Sequence, residues 1–408
     1  MKKRFLSAGL AVVMAASLTA CGGSGSASTT TAAAGEAKAE GESKAAESSA
    51  AADGAVFKIG GIGPVTGGAA VYGLAVQHGA EIAVKEINEA GGINGYPVEF
   101  QFQDDEHDAE KSVNAYNTLK DWGMQALMGT VTSAPCIAVA DKTAADNMFQ
   151  ITPSGSAVEC AANPNVYRVC YSDPAQGTAS AKYIGEHKLA SKVAVIYDSS
   201  DVYSSGIYEK FAQEAPNQGI EVVDAEAFTA DSNKDFSTQL QKAKESGAEL
   251  VFLPIYYTEA SLILQQANTM GYAPQFFGCD GMDGILQVQN FDVKLAEGLM
   301  LLTPFAADAT DDLTVKFVKS FEDAYGETPI QFAADAYDAM YVIKAAMEEA
   351  NVTPDMAVGD ICDAMEGAMT KIKVDGLTGT NMTWTEDGEP EKDPKAVQVV
   401  DGAYKAME

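Results

Sequence analysis

The sequence predicts an α/β protein built from two Rossmann-like lobes, each with a parallel central sheet. Short apolar runs alternate with longer amphipathic segments along most of the chain, which is the pattern of repeated strand–helix units. The loops that follow the predicted strands form two similar sets, one in each half of the sequence. With 408 residues, the chain is also long enough for two domains after its N-terminal region is set aside.

The N-terminal region has the order of a secretory signal peptide. The basic residues KKR at 2–4 precede an apolar stretch at 10–16, which is followed by LTAC at 18–21. The apolar stretch is shorter than the roughly 20 residues that a membrane-spanning helix needs. LTAC resembles the lipobox of bacterial lipoproteins, which implies a signal peptide at 1–20 and a diacylated Cys21 as the new N-terminus. The alternative is ordinary signal cleavage beside an unmodified cysteine.

Residues 21–52 are predicted to form a disordered tether. After Cys21 the segment consists almost entirely of Ala, Ser, Gly, Thr, Glu and Lys, so it offers no large apolar side chain to bury. The whole chain carries a formal net charge of −31, which argues against a nucleic-acid partner. Because the acids are spread along the chain, we interpret the charge as a solubility feature rather than a binding site.

The predicted elements follow in order. Residues 56–62 form the first strand, and 74–90 form a helix with an apolar face that ends at Gly91 and Gly92. Residues 98–103 alternate between apolar and polar side chains, as in a half-exposed strand. Further strands are predicted at 126–129, 148–152, 193–198, 250–255, 275–279 and 299–303, most of them continuous apolar runs typical of buried parallel strands.

The loops after these strands define two predicted walls. In the first half they read GPVTGG (63–68), TVTSAP (130–135) and TPSGS (152–156). In the second half they read YDSSDVY (197–203), PIYYTE (254–259) and GCDGMDG (278–284). Because open parallel sheets bind ligands at the carboxyl ends of their strands, we expect the two sets to face each other across a cleft.

The first wall is rich in hydroxyl groups, supplied by Thr130, Thr132, Ser133, Ser154 and Ser156. Hydroxyl donors together with the backbone N–H groups of a helix N-terminus suit a carboxylate. The alternative is that these residues are ordinary turn and N-cap residues.

The second wall offers three phenols and an acid: Tyr203, Tyr256, Tyr257 and Asp280. These groups suit an ammonium ion through ion pairing and cation–π contact. Ordinary packing of each tyrosine at the base of a loop is the alternative. A carboxylate on one side and an ammonium on the other describe an α-amino acid as the ligand.

Signatures of other chemistry are missing from the sequence. There is no GxSxG or GxxxxGK[ST] motif, and His78, His107 and His187 are isolated, so we expect neither an enzyme nor a metal site nor a cofactor. Arg168, which falls in a predicted strand, is the single arginine beyond the signal peptide and the one possible guanidinium clamp. Capture by backbone and hydroxyl groups is nevertheless the favoured interpretation. The pairing of the five later cysteines stays open: Cys136, Cys160, Cys170, Cys279 and Cys362.

Four segments carry a resemblance to a known family. They are IGGIGPVTGGAAVYG (59–73), INEAGGINGYPVEFQFQDDEHD (87–108), YDSSDVYSSG (197–206) and GCDGMDG (278–284). From residue 57 onward the chain resembles the branched-chain amino-acid-binding proteins of ABC importers, which are similar to leucine-binding protein and have the type I periplasmic binding fold. The resemblance implies a binding protein that works outside the cytoplasm as a monomer and delivers a small amino acid to a membrane permease.

The resemblance also implies roles for individual residues. Ser133, Ser154 and Ser156 would hold the ligand's carboxylate and amino groups, and Tyr72 would pack on its side chain. Tyr203 and one of Tyr256 or Tyr257 would close from the second lobe. Asp280 would bind the ammonium in place of the usual glutamate, which leaves the ligand's identity open.

Three crossings between the lobes are implied near Cys170, Thr303 and Glu386. They divide the chain into an N-terminal lobe at 56–170 and 304–385 and a C-terminal lobe at 171–303 and 386–408, which would close by hinge motion. Three alternatives remain open at this point: a ligand sensor for a signalling receptor, a binding protein for an amide or another small solute, and a lipoprotein enzyme that uses the same cleft.

Overall fold

The computed structural model describes residues 54–392 and 394–407. The predicted signal peptide, Cys21 and the tether lie outside the described residues. Along the described part of the chain, strands and helices alternate and assemble into two separate main sheets.

The first sheet contains five parallel strands: β1 Phe57–Gly63, β2 Val98–Asp104, β3 Ala126–Gly129, β4 Gln150–Thr152 and β5 Val166–Arg168. Their order is β2-β1-β3-β4-β5. The intervening helices are α1 Ala70–Glu89, α2 Ala109–Trp122 and α3 Ser133–Asp146. Because all five strands run the same way, the loops after β1, β3 and β4 leave the sheet at one edge.

The second sheet begins with five more parallel strands: β6 Lys192–Asp198, β7 Glu221–Phe228, β8 Leu250–Leu253, β9 Gln275–Gly278 and β10 Met300–Thr303. The helices of this region are α4 Asp173–Glu186, α5 Val202–Glu214, α6 Ser237–Glu245 and α7 Tyr257–Thr269. The loops after β6, β8 and β9 therefore also leave their sheet at one edge.

After β10 the chain returns to the first sheet with α8 Asp312–Tyr325, α9 Gln331–Glu349 and α10 Val358–Met369. Helix α9 packs along α1 and against β3 and β4. The approach of the two helices is close, since a Cβ atom at Gly79 would lie 2.1 Å from the carbonyl oxygen of Ala333. Glycine at this position lets the middle of α1 approach the first turn of α9.

The C-terminal region first forms the small hairpin β11 Thr383–Trp384 and β12 Pro390–Glu391. It then adds β13 Lys395–Val400 and β14 Ala403–Ala406 to the second sheet as antiparallel strands. The order of that sheet is β14-β13-β10-β9-β8-β6-β7. The chain thus passes between the two main sheets three times, after β5, after β10 and after β12.

The predicted strands all form, with ends shifted by one or two residues. Helix α1 starts at Ala70 rather than at residue 74, because its N-cap is Ala69 and no side-chain cap marks the start. Strand β7 and strands β11 to β14 were not predicted. Strand β7 lies at the edge of its sheet and has a half-exposed, partly acidic sequence, so it lacks a buried apolar run.

No helix within the described residues combines the length and the apolar character that a membrane crossing requires.

Candidate ligand-binding site

The loops at the carboxyl ends of the two sheets meet around a small cavity, whose free volume is about 10 Å³. The first sheet contributes the start of α1, the loop from β3 into α3 and the loop after β4. The second sheet contributes the starts of α5 and α7 and the loop after β9. The cavity is lined by Tyr72, Val131, Thr132, Ser133, Ser154, Ser156, Tyr203, Tyr256, Asp280, Gly281 and Phe332.

Seven of the eight predicted ligand-binding residues therefore line one cavity. The exception is Tyr257, the first residue of α7, whose ring packs edge-on against Tyr72 at 4.7 Å between ring centroids. Phe332 and Val131 were missed by the sequence analysis. Phe332 lies in the first turn of α9, stacked on Tyr72 at 4.2 Å, and no local motif marks it.

The first wall presents hydrogen-bond donors at the start of α3. Ser133 is the first residue of that helix, where backbone N–H groups lack partners within the helix. The backbone N atoms of Ser156 and Ala157 lie 3.3 and 3.2 Å from the Ser133 Oγ atom. The hydroxyl of Ser154 donates to the carbonyl oxygen of Val131 at 2.6 Å, which ties the two loops together. A carboxylate placed here would meet both hydroxyl and amide donors.

Thr132 is held from the side by a residue that the sequence analysis left unassigned. The Nδ1 atom of His107 lies 2.8 Å from the Thr132 Oγ1 atom. The His107 ring also meets Tyr256 edge-on at 5.6 Å. Burial lowers the pKa of His107, so the imidazole is held in its neutral form beside the cavity.

Arg168 does not line the cavity but holds its first wall from behind. The side chain is fully buried, and its guanidinium donates to the carbonyl oxygens of four consecutive residues, 155–158, at 2.6–3.3 Å. The Nε atom lies 3.2 Å from Glu389 Oε1, near the third passage between the sheets. The possible role of Arg168 as a ligand clamp is therefore replaced by a structural one, in which a rigid fork of donors fixes the loop that carries Ser156.

The second wall is organised around Asp280. Its carboxylate accepts hydrogen bonds from the Tyr203 hydroxyl at 2.7 Å and from the Gln176 amide at 2.8 Å. The backbone N–H of Gly281 donates to it at 2.7 Å. Burial raises the pKa of Asp280 to about 6, while these three hydrogen bonds oppose the shift. The carboxyl is therefore ionised at neutral pH, although it is nearly removed from solvent.

Gly281 permits the tight packing of this wall. A Cβ atom at this position would lie 2.6 Å from the Tyr203 hydroxyl oxygen and 3.0 Å from the Tyr256 ring. The rings of Tyr203 and Tyr256 are stacked at 4.9 Å beside it. The aromatic faces thereby form an apolar surface, since the hydroxyls of Tyr203 and Tyr256 are directed to Asp280 and Asp201.

Hydrogen bonds join the two walls directly across the cavity. The Tyr72 hydroxyl donates to the carbonyl oxygen of Gly281 at 2.5 Å and accepts from the backbone N–H of Tyr257 at 3.2 Å. The Tyr257 hydroxyl accepts from the backbone N–H of Val71, and Thr258 donates to the carbonyl oxygen of Gly68. The structure thus has the two sets of loops in contact.

The described cysteines and metal-binding side chain types do not form a disulfide or a metal site. The five cysteines of the described chain, Cys136, Cys160, Cys170, Cys279 and Cys362, are buried free thiols. Within the same residues, no three His, Cys, Asp or Glu side chains converge as a metal site requires.

Comparison with known proteins extends these observations. A family model described as periplasmic binding protein matches residues 56–403. A Leu/Ile/Val-binding protein homologue of Brucella melitensis is 32% identical over 70% of this chain and 77% of its own length. The leucine-, isoleucine-, valine-, threonine- and alanine-binding protein of Pseudomonas aeruginosa is 30% identical over 68% of this chain and 74% of its own length.

A solved structure is also similar. The branched-chain amino acid transporter substrate-binding protein of Streptococcus pneumoniae, in complex with isoleucine, has a TM-score of 0.77 and 26% identity. The match covers 86% of this chain and 99% of that one. The predicted α/β fold and the resemblance found in the sequence are confirmed by these matches, and so is the expectation of a binding protein rather than an enzyme. The chain belongs to the periplasmic binding protein family.

Proposed function

We propose that this chain is the lipid-anchored receptor of an ABC importer and that it binds a small α-amino acid, branched-chain or related, in the cavity between its two sheets. The observation that carries the proposal is the pairing of opposite chemistries across one small cavity. Hydroxyl and amide donors at Ser133 and Ser156 face the ionised carboxyl of Asp280. The ligands named for the relatives agree with this pairing.

The ligand's carboxylate would lie at the start of α3, where the partial positive charge of the helix end and the Ser133 hydroxyl both favour an anion. Its ammonium group would bind the Asp280 carboxylate, which has accepted three hydrogen bonds and retains capacity for a further one. Its side chain would rest on the aromatic faces of Tyr72 and Phe332. The cavity has a free volume of about 10 Å³ and would have to widen to admit the ligand, which favours a small side chain.

Closure would follow from the arrangement of the chain. Residues 56–170 with 304–385 would move as one lobe, and residues 171–303 with 386–408 as the other. The hydrogen bonds from Tyr72, Tyr257 and Thr258 across the cavity support a closed form in which the ligand is enclosed. A permease would then recognise the closed monomer.

Anchoring is proposed from LTAC at residues 18–21 and the composition of the tether. Acylation of Cys21 would anchor the binding domain to the membrane through the predicted tether at 21–52. Expression in a bacterial host should place the protein in the membrane fraction, whereas the Cys21→Ser variant should be released. Equal membrane association of both proteins would contradict the lipid anchor while leaving the binding proposal intact.

Ligand binding can be tested by thermal unfolding of the purified protein, stripped of bound solutes, with each common amino acid. A ligand at about 100 times its dissociation constant should add about 2.7 kcal/mol to the free energy of unfolding. By calorimetry, Asp280→Asn should weaken the binding of that ligand by at least about 1.5 kcal/mol. The exposed Asp121→Asn variant is the matched control and should bind normally. If no amino acid stabilises the protein, or if Asp280→Asn binds as tightly as the natural chain, the proposal is wrong.

A further inference from the structure

A second cavity, which we call the hinge chamber, lies behind Asp280 where the chain passes between the sheets. Its free volume is about 150 Å³. All three passages contribute to it, and it is lined by Cys170, Tyr171, Ala175, Gln176, Ala179, Asp280, Leu302, Pro304, Gln331, Asp335, Lys392 and Pro394. Asp280 lines both the hinge chamber and the ligand cavity, and Gln176, which donates to it, lines the hinge chamber.

The hinge chamber contains buried acceptor atoms without hydrogen bonds. Asp335 is fully buried, and neither of its carboxylate oxygens accepts a hydrogen bond from any described residue. The Oε1 atom of Gln331, which is 1% exposed, likewise accepts none from the described chain. Both side chains lie in α9, one turn apart, and both line the hinge chamber. Three acceptor atoms are therefore gathered on one wall.

Lys392 does not complete this group. Its Nζ atom lies 3.6 Å from Asp335 Oδ1, beyond ordinary hydrogen-bond length, and donates instead to the Thr378 hydroxyl at 2.9 Å. Asp280 and Asp338 also lie close enough to act on Asp335 electrostatically. Asp335 thus forms a buried ion pair with Lys392 without a short hydrogen bond. Its oxygens keep unused hydrogen-bonding capacity, which is costly in a buried site.

Much of the remaining wall is apolar. Ala175, Ala179, Leu302, Pro304 and Pro394 offer carbon surface and no side-chain hydrogen-bond donor. An occupant that fits such a chamber must supply several donors and positive charge at one end and hydrocarbon at the other.

We propose that the hinge chamber is a second binding site, for a small primary alkylammonium ion. The three N–H donors of a primary ammonium match the two oxygens of Asp335 and the Oε1 atom of Gln331 in number and polarity. Its alkyl chain would lie on the wall formed by Leu302, Pro304 and the alanines of α4. A bare metal ion fits less well, because the described residues offer no cluster of three metal-binding side chains.

The site has a distinctive pH dependence. Burial raises the pKa of Asp335, and Lys392 opposes the shift while Asp338 and Asp280 add to it. An alkylammonium ion binds the ionised form of the Asp335 carboxyl. In protein molecules whose Asp335 is protonated, amine binding therefore releases that proton. A primary amine keeps its charge to about pH 10, as lysine does. The affinity of the hinge chamber for the amine should therefore rise as the pH rises above neutral.

The test is a titration of the full binding domain with n-butylammonium, followed by nuclear magnetic resonance. We expect saturable shifts of backbone signals around Asp335 and Gln331 at millimolar amine, and no such shifts with tetramethylammonium, which lacks N–H donors. Asp335→Asn should weaken binding by at least about tenfold, since it removes a charged hydrogen-bond partner. The exposed Asp141→Asn variant is the matched control and should bind the amine as the natural chain does.

Two further measurements keep the result decisive. Ala175→Phe leaves the polar groups in place and fills the mouth of the hinge chamber, so it should abolish amine binding even if Asp335→Asn fails to fold. Saturating isoleucine should leave amine binding in place. Absence of saturable shifts, an unchanged affinity in Ala175→Phe, or displacement of the amine by isoleucine would each overturn the proposal. The first two outcomes would leave the amino-acid cavity unaffected.

Discussion

The Tyr72 hydroxyl joins the two walls of the ligand cavity, and its removal tests whether these hydrogen bonds stabilise the closed form. The hydroxyl donates to the Gly281 carbonyl oxygen at 2.5 Å and accepts from the Tyr257 backbone N–H at 3.2 Å. The Tyr72 side chain is completely buried. In an open form, water could satisfy all three groups, so these bonds favour closure specifically.

The size of the effect follows from the two bonds. A typical net contribution is about 0.5–1.5 kcal/mol for each hydrogen bond, so Tyr72→Phe should cost the closed form about 1–3 kcal/mol. Because the ligand is enclosed only on closure, the same free energy is lost from binding. That loss corresponds to a weakening of roughly 5–150-fold. The ring of the new phenylalanine can keep its stacking on Phe332, so the loss reports on the hydroxyl rather than on packing.

The assay is calorimetric titration with isoleucine, or with whichever amino acid stabilises the protein most. Tyr116→Phe is the matched control, because it also removes a phenol hydroxyl, one that donates to Asp146 at 2.9 Å within the helices of the first sheet. The control should bind as the natural chain does. Small-angle X-ray scattering should also show a larger radius of gyration for Tyr72→Phe at subsaturating ligand.

An affinity of Tyr72→Phe within about twofold of the natural chain would refute the reasoning, since two hydrogen bonds should contribute more than that. Equal losses in Tyr72→Phe and Tyr116→Phe would also count against it, because the effect would then lie in the fold of the first sheet rather than in closure.

Two other predictions concern the walls of the same cavity. Because burial raises the pKa of Asp280 to about 6, acid should protonate it and weaken the binding of an amino acid by up to about tenfold per pH unit below that value, as measured by calorimetry. A binding affinity that is constant from neutral to acid pH would contradict the role of Asp280. The free energy of unfolding should change in the opposite direction: the contribution of this carboxyl to stability is greatest below its ordinary pKa of 3.8 and is lost as the pH rises through about 6. Replacing Arg168 by lysine keeps the charge but loses the fork that holds four carbonyl oxygens, so we expect the free energy of unfolding to fall by about 1–3 kcal/mol in denaturant titrations and ligand binding to weaken with it. Unchanged unfolding and binding would show that the loop is held by other contacts.

The sequence predicted most of the fold because strand and helix periods are local. The buried parallel strands appear as continuous apolar runs, and the loops after them carry Ser133, Ser154 and Asp280, so their place at the carboxyl ends follows from the direction of the strands. Strands without an apolar run were not predicted. Strand β7 at the sheet edge and the late antiparallel strands have mixed polarity, and the polarity pattern does not separate them from loops.

The direction of a side chain was harder to predict than its place in the chain. Arg168 was expected in a strand near the first crossing, and β5 does include it. Whether its guanidinium would reach the ligand or the loop behind it depends on the fold of residues 155–158, which have no regular pattern. Gln176 and Phe332 were missed for a related reason, since each reaches the site from the first turn of a helix that carries no motif of its own.

The contacts that join the two walls of the cavity are the ones that local sequence patterns predict least well. The bonds between Tyr72 and the second wall join residues 185 and 209 positions apart in the chain, and the neighbouring bond from Val71 to Tyr257 spans 186. Their consequence is that ligand shape and closure are linked through one side chain. Tyr72 lines the cavity with its ring and joins the walls with its hydroxyl, so a ligand too bulky for the space beside Phe332 would have to displace the ring and break both bonds. Rejection of such a ligand would then include the roughly 1–3 kcal/mol lost from closure as well as the steric conflict. Selectivity for small side chains would therefore weaken in Tyr72→Phe.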